Sequence, residues 1–147
     1  MFRRLTATDA SWATRIASLT LGIVFFPHGA QKMLGWFGGP GFAGEMELLT
    51  GIGIPAFFAF LVILGEFFGA LGLIVGFLSR AAAAGIAVIM AGAVFIAHLQ
   101  HGFFMNWSGQ QPGEGFEYHL LALALCAVVM IRGSGAGSVD RALAARG

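Results

Sequence analysis

Four runs of apolar residues, each close to the length of a membrane crossing, dominate this chain. They fall at about residues 16–34, 55–78, 81–101 and 115–132. A spanning helix needs ~20 predominantly apolar residues. In lipid it is the arrangement that satisfies its own backbone hydrogen bonds. The rest of the composition agrees. Apolar residues make up 58% and charged residues 10% of the 147, and the mean hydropathy is +0.84. A soluble domain carries about 25% charged residues, so this chain lacks the groups to cover a globule in water. The expected fold is all-α: a single domain, residues 1–147, forming an integral membrane four-helix bundle.

The basic residues set the expected topology. Arg3, Arg4 and Arg15 precede the first span, Arg80 sits in the turn between the second and third, and Arg132, Arg141 and Arg146 follow the fourth. Lys32 alone falls on the other side. The positive-inside rule then places both termini in the cytoplasm and the two long loops, residues 35–54 and 102–116, outside. Arg15 directly precedes the first apolar run and no A-x-A-like site follows, so that run reads as a signal anchor and not a cleaved leader. Trp12 is expected at the inner interface and Thr8 as the cap of a short lead-in helix. Residues 133–147 read as a short cytosolic helix or a disordered end. With a net charge of +1 and no basic cluster, the chain has no footprint for nucleic acid; its partner is the lipid bilayer.

One cysteine, Cys126, excludes an intramolecular disulfide or a CxxC pair, and a small apolar role inside a helix suits it. Pro27 should kink the first span, and Pro55 suits the first turn of the second. The outer loops hold Trp36, Phe37, Phe42, Phe103, Phe104, Trp107 and Phe116, with Tyr118 just beyond. They read as an interfacial belt, as a lid over a pocket opening outward, or as a docking face for a partner.

Glu66 has no other charge between Pro55 and Leu78. A carboxylate at mid-membrane costs at least ~2.5–3.5 kcal/mol on insertion scales, so it is normally buried against a partner or beside a water-filled cavity. Gly65, Gly69, Gly72 and Gly76 make a small-residue stripe beside it, suited to close helix packing or to a dimer face. Helical side chains lean toward the helix N-terminus. The second span enters from outside and the first and third from inside, so Glu66, His28 and His98 converge on one layer in the outer half. Val94, His98 and His101 share a face at i, i+4, i+7, and His28 and Lys32 are an i, i+4 pair. Lys32, His101, Glu117 and His119 complete a rim, with Trp107 in the loop above. Each has a plainer use: Glu66 and the histidines can fix the bundle by hydrogen bonds, Lys32 can snorkel, and Glu114 and Glu117 can be solvated loop charges.

Three patterns also resemble a known family. They are R-x-x-x-L-x-x-G-x-x-F-x-x-H-G-x-x-K from Arg15 to Lys32, E-x-x-G-x-x-G-x-x-x-G-x-x-x-R from Glu66 to Arg80, and A-H-x-x-x-G-F-F-x-N-W from Ala97 to Trp107. In this order, over roughly residues 14 to 132, they look like the DoxX family of small bacterial membrane proteins. The resemblance implies a four-helix bundle in the inner membrane. It also implies a link to a thiosulfate:quinone oxidoreductase or to oxidative-stress complexes, with His28, Lys32, Glu66, Arg80 and His98 at family positions. The chain carries no thiol pair and no haem signature, so an electron carrier would come from a partner chain.

The expected function is a redox-linked subunit, with a quinone-linked oxidoreductase subunit as the enzymatic form of that reading. Glu66, His28 and His98 act on a quinone or small sulfur anion held by Lys32, His101, Trp107, Glu117 and His119. The competing reading is a non-catalytic assembly subunit, working with protein partners or as a homo-oligomer. A metal ion on His28, His98 and Glu66 is chemically reasonable as a 2-His-1-carboxylate set, but no HxxxH or HExxH spacing supports it. A transporter is less favoured, because no inverted repeat with broken helices is evident.

Overall fold

The computed structural model describes residues 2–145, and Arg146 of the topology argument lies outside them. Among the described residues there is no strand. The helices are α1 (Phe2–Leu5), α2 (Trp12–Leu34), α3 (Gly41–Gly51), α4 (Ala56–Val75), α5 (Ser79–Ala93), α6 (Glu117–Arg132) and α7 (Val139–Ala144). α5 continues through a π-helical turn, Val94–His98, and a 3₁₀ turn, Leu99–His101. Among the described residues, two helices are long and apolar enough to cross a membrane, Ala56–Val75 and the composite Ser79–His101. α6 has 16 residues, short of the ~20 of an ordinary crossing.

The long helices pack around a closed circuit: α2 on α4, α4 on α5, α5 on α6, and α6 back on α2. Small residues set the distances. At Gly29 an added Cβ would lie 2.6 Å from the Phe67 Cα, and at Gly22 it would lie 2.9 Å from the Ala70 oxygen. These two glycines, a heptad apart on α2, let its backbone lie directly on α4. The stripe on α4 is filled within the chain. Gly65 meets Ile89, Gly69 meets Ile86 and Gly72 meets Ala82, all on α5, so this stripe is not the dimer face considered above. Between the helices Leu21, Phe25, Leu73, Ile86, Cys126 and Val129 form the buried core. α2 runs unbroken through Pro27.

Both chain ends close the same end of the molecule. Asp140 is buried, and its carboxylate accepts from the amides of Leu78 (2.8 Å) and Ser79 (3.0 Å) and from the Ser79 hydroxyl (2.7 Å). That is the cap of α5, whose preceding residue Leu78 has a positive φ of 48°. Arg80 donates to the carbonyls of Ala7, Met130 and Ile131, and Arg15 donates to Ile74, so both satisfy helix C-terminal carbonyls. Asp9 pairs with Arg132 at 2.7 Å. Slight burial opposes the Asp9 charge, yet the Ser11 amide, Arg132 and Thr14 outweigh it, and the carboxyl titrates below its ordinary range. Thr8 is not a helix cap as expected: its hydroxyl accepts from the Gly135 amide at 2.7 Å, and Ser11 caps α2 instead. Residues 133–145 fold back on the bundle, with α7 docked through Asp140.

Candidate functional site

The opposite end holds a cavity of about 1040 Å³ between α2, α4, α5 and α6. Its polar wall comes from four elements. α2 contributes His28 and Lys32, α4 contributes Glu66, the π-helical turn contributes His98, and α6 contributes Tyr118 and His119. Each helix delivers its group for a local reason. Gly29 lies one turn before Lys32 and sits against the backbone of Glu66 and Phe67, which brings the lysine opposite the carboxylate. The π turn carries one extra residue per turn, which re-aims His98 away from the register of an ideal helix.

Lys32 does not snorkel outward. Its ammonium lies 2.9 Å from both oxygens of Glu66 and 3.6 Å from Glu45 Oε1. Hydrogen-bond geometry is met at Glu66 Oε1, while Oε2 is close to the charge but receives no hydrogen bond. Glu66 is 2% exposed and faces the interior, beside the glycine stripe. Glu45 is also buried. It arrives on α3, a three-turn helix within the stretch 35–54 that the sequence marked as an outer loop. Two carboxylates share one ammonium here.

The rings of His98 and His119 pack against each other with centroids 4.1 Å apart and planes tilted by 44°. His98 Nδ1 lies 2.9 Å from the Glu114 carbonyl oxygen, so that nitrogen donates and Nε2 is the free acceptor of the neutral ring. His119 is 5% exposed, and its Nδ1 has no partner; the Tyr118 hydroxyl is likewise buried and unpartnered. Buried polar groups are nearly always satisfied, so these two atoms, on adjacent residues that line the cavity, point to an occupant that supplies a donor or an acceptor.

The expected site residues separate into two groups. His28, Lys32, Glu66, His98 and His119 line one cavity. His101, Trp107 and Glu117 do not. The π turn ends the i, i+4, i+7 relation of His98 to His101, and the His101 ring packs against Gly113. Trp107 is 87% exposed, and its indole donates to Glu117 Oε1 at 3.3 Å. Glu117 also accepts from the Met105 amide at 2.8 Å and Glu114 from the Asn106 amide at 2.6 Å, so these glutamates pin the outer loop and are not merely solvated. The outer-loop aromatics do not roof the cavity. Met105 and Glu114 border it, and of the aromatics named from sequence only Tyr118 does. Among the described residues no three of His, Cys, Asp and Glu gather as a metal-binding group, so the set of His28, His98 and Glu66 is not assembled for a metal.

Sequence reasoning missed Tyr118 as a wall residue and Glu45 as the second acid. Tyr118 sits beside His119 and was legible only as a loop aromatic. Glu45 had a weak signal, since Lys32 is the one cation on a side rich in glutamates.

A model of the DoxX family matches residues 13–99. Inner membrane protein YqjF of Escherichia coli (strain K12) is 32% identical over 128 residues, covering 87% of this chain and 89% of that protein. No solved structure matches.

Proposed function

This chain belongs to the DoxX family and resides in the bacterial inner membrane, and on that premise we propose that it is a redox-linked subunit whose cavity takes the headgroup of a quinone. In this reading the four long helices form a membrane-spanning bundle with both termini cytoplasmic and the cavity in the outer half. The observation that carries it is the pair of unpartnered buried atoms, Tyr118 Oη and His119 Nδ1, beside the Lys32–Glu66 ion pair. A quinone carbonyl accepts from Tyr118 or from a protonated His119 nitrogen. The reduced hydroxyl donates to Glu66 Oε2 or to a neutral His119.

Quinone reduction takes up protons with electrons, and the adjacent rings of His98 and His119 offer a two-ring route from the cavity to the outer loop. Lys32 fixes the orientation of the Glu66 carboxylate, which serves as a hydrogen-bond acceptor in the cavity wall. The electrons come from a partner chain, since this one holds no evident carrier. A small sulfur anion fits less well. Lys32 is already matched by Glu66 and Glu45, so an added anion meets a site with a surplus negative charge.

The test is purification in a mild detergent, followed by mass spectrometry of what stays bound. A retained quinone that is lost in the folded double variant Tyr118→Phe/His119→Leu supports the reading. A wild-type protein that retains none, together with full quinone-linked activity in Glu66→Gln, overturns it.

A second reading, an assembly subunit, is favoured by the outward-facing aromatics: Trp107, Phe104 and Phe37 are 87%, 67% and 65% exposed. A stoichiometric protein partner lost on changing Trp107, with no small molecule retained, would select it.

A further inference from the structure

The cavity is far larger than its polar wall needs. At about 1040 Å³ it matches or exceeds the ~300–1,000 Å³ that encloses a drug-sized ligand. A planar headgroup would fill only part of it. The remainder extends as an apolar groove along α4 and α5. Those helices meet tightly where the glycine stripe takes Ala82, Ile86 and Ile89, near their shared turn. Toward the other end they separate, and the groove runs between one face of α4 (Phe58, Leu61) and one face of α5 (Val88, Ile96). These four are 57%, 44%, 72% and 54% exposed, so the groove opens sideways, toward hydrocarbon in a membrane. Its floor on α5 is Gly85 and Gly92, and a Cβ added at either would meet nothing within 4 Å.

We infer that the α4–α5 groove is the berth and lateral entrance for the single long hydrocarbon tail of the ligand. The headgroup passes from the bilayer between these helices to Tyr118, His119 and Glu66. The inference rests on the quinone reading above and adds its route and its tail-selecting positions, Gly85 and Gly92. A phospholipid is the poorer occupant. Its phosphate would face the surplus carboxylate of Glu45 and Glu66. A tail moving from lipid to groove gains little hydrophobic energy, because both are apolar. The groove therefore acts by shape: it admits a tailed headgroup or, when filled, excludes it.

That makes the test direct. In Gly85→Leu and Gly92→Leu the new side chain projects into open groove without backbone crowding, so folding is expected to be unchanged. Binding to purified wild-type and variant protein is measured for a long isoprenoid-tailed quinone and for a tail-free methylated benzoquinone, with bound phospholipid followed by mass spectrometry. The long-tailed quinone is expected to weaken about tenfold or more from steric crowding, while the tail-free compound holds within about twofold. Equal binding of both compounds to wild type and variants overturns the berth and leaves the headgroup site standing. Equal weakening of both overturns it as well, because the groove then does not sense the tail. Displacement of a phospholipid and not a quinone assigns the groove to lipid and overturns the inference. Failure of wild type to bind either quinone removes the headgroup reading together with it.

Discussion

Lys32 has two carboxylates within reach and one charge to divide between them. Glu66 is held at 2.9 Å and Glu45 at 3.6 Å, with the lysine side chain 25% exposed and that of Glu66 3%. Removing one partner of such a pair leaves a charge buried without compensation, which costs more than the pair itself contributes. Lys32→Met is expected to lower stability in detergent by ~3 kcal/mol, the low end for buried pairs because the lysine is partly exposed. Lys32→Met/Glu66→Met should regain most of that loss. Chemical unfolding of both variants checks this, and a double variant no more stable than the single would refute the coupling. Glu66 was legible in the sequence because a lone charge in an apolar run has to be answered. Lys32 near an interface was equally consistent with snorkelling, since a flexible four-carbon stem carries no directional signal. Tyr118 was hidden for another reason: an aromatic at a membrane interface looks the same whether its hydroxyl faces headgroups or a cavity.

At the level of elements, glycine positions decide which helices touch and which leave a gap. Gly29 is pressed against the α4 backbone, while Gly92 has open space where its side chain would be. The same substitution should act with opposite sign at the two sites. Gly29→Ala forces α2 off α4 and is expected to destabilise by ~1–3 kcal/mol, as overpacking does. Gly92→Ala adds a better helix former and should be neutral or stabilising by up to ~1 kcal/mol. Thermal unfolding of the pair measures it, and two equal shifts would count against the packing described. The apolar runs gave the positions of α2, α4, α5 and α6 to within a few residues. They could not give the π turn at Val94–His98, because apolar residues without charge partners look alike at 3.6 or 4.4 residues per turn. That one added residue put His98 on the cavity and His101 off it, and the expected rim dissolved with it.

Over the whole molecule charge is sorted by type. Among the described residues, the arginines and the two aspartates, Asp9 and Asp140, lie in segments at one end, and Lys32 with all five glutamates lies toward the other. The arginine end is expected to face the cytoplasm. In a Cys126→Ala background, Ser108→Cys should react with a membrane-impermeant maleimide added outside the inner membrane, and Ala142→Cys only after that membrane is opened. Both residues are exposed, so the reverse pattern would invert the topology. The end-to-end sorting was readable from residue order alone; the docking of residues 133–145 was not, because the contacts that dock them, from Asp140 to Leu78 and Ser79 and from Gly135 to Thr8, run to distant segments. That docking also imposes an order in time. Asp140 caps a turn 62 positions earlier in the chain, at Leu78, so the α4–α5 hairpin enters the membrane with the first amides of α5 still unanswered. It stays so through translation of α6 and the linker beyond. The segment that locks the hairpin is thus translated after both of its helices. A ribosome stalled before residue 140 would hold an inserted but unlatched intermediate, the stage at which quality-control proteases have their opening.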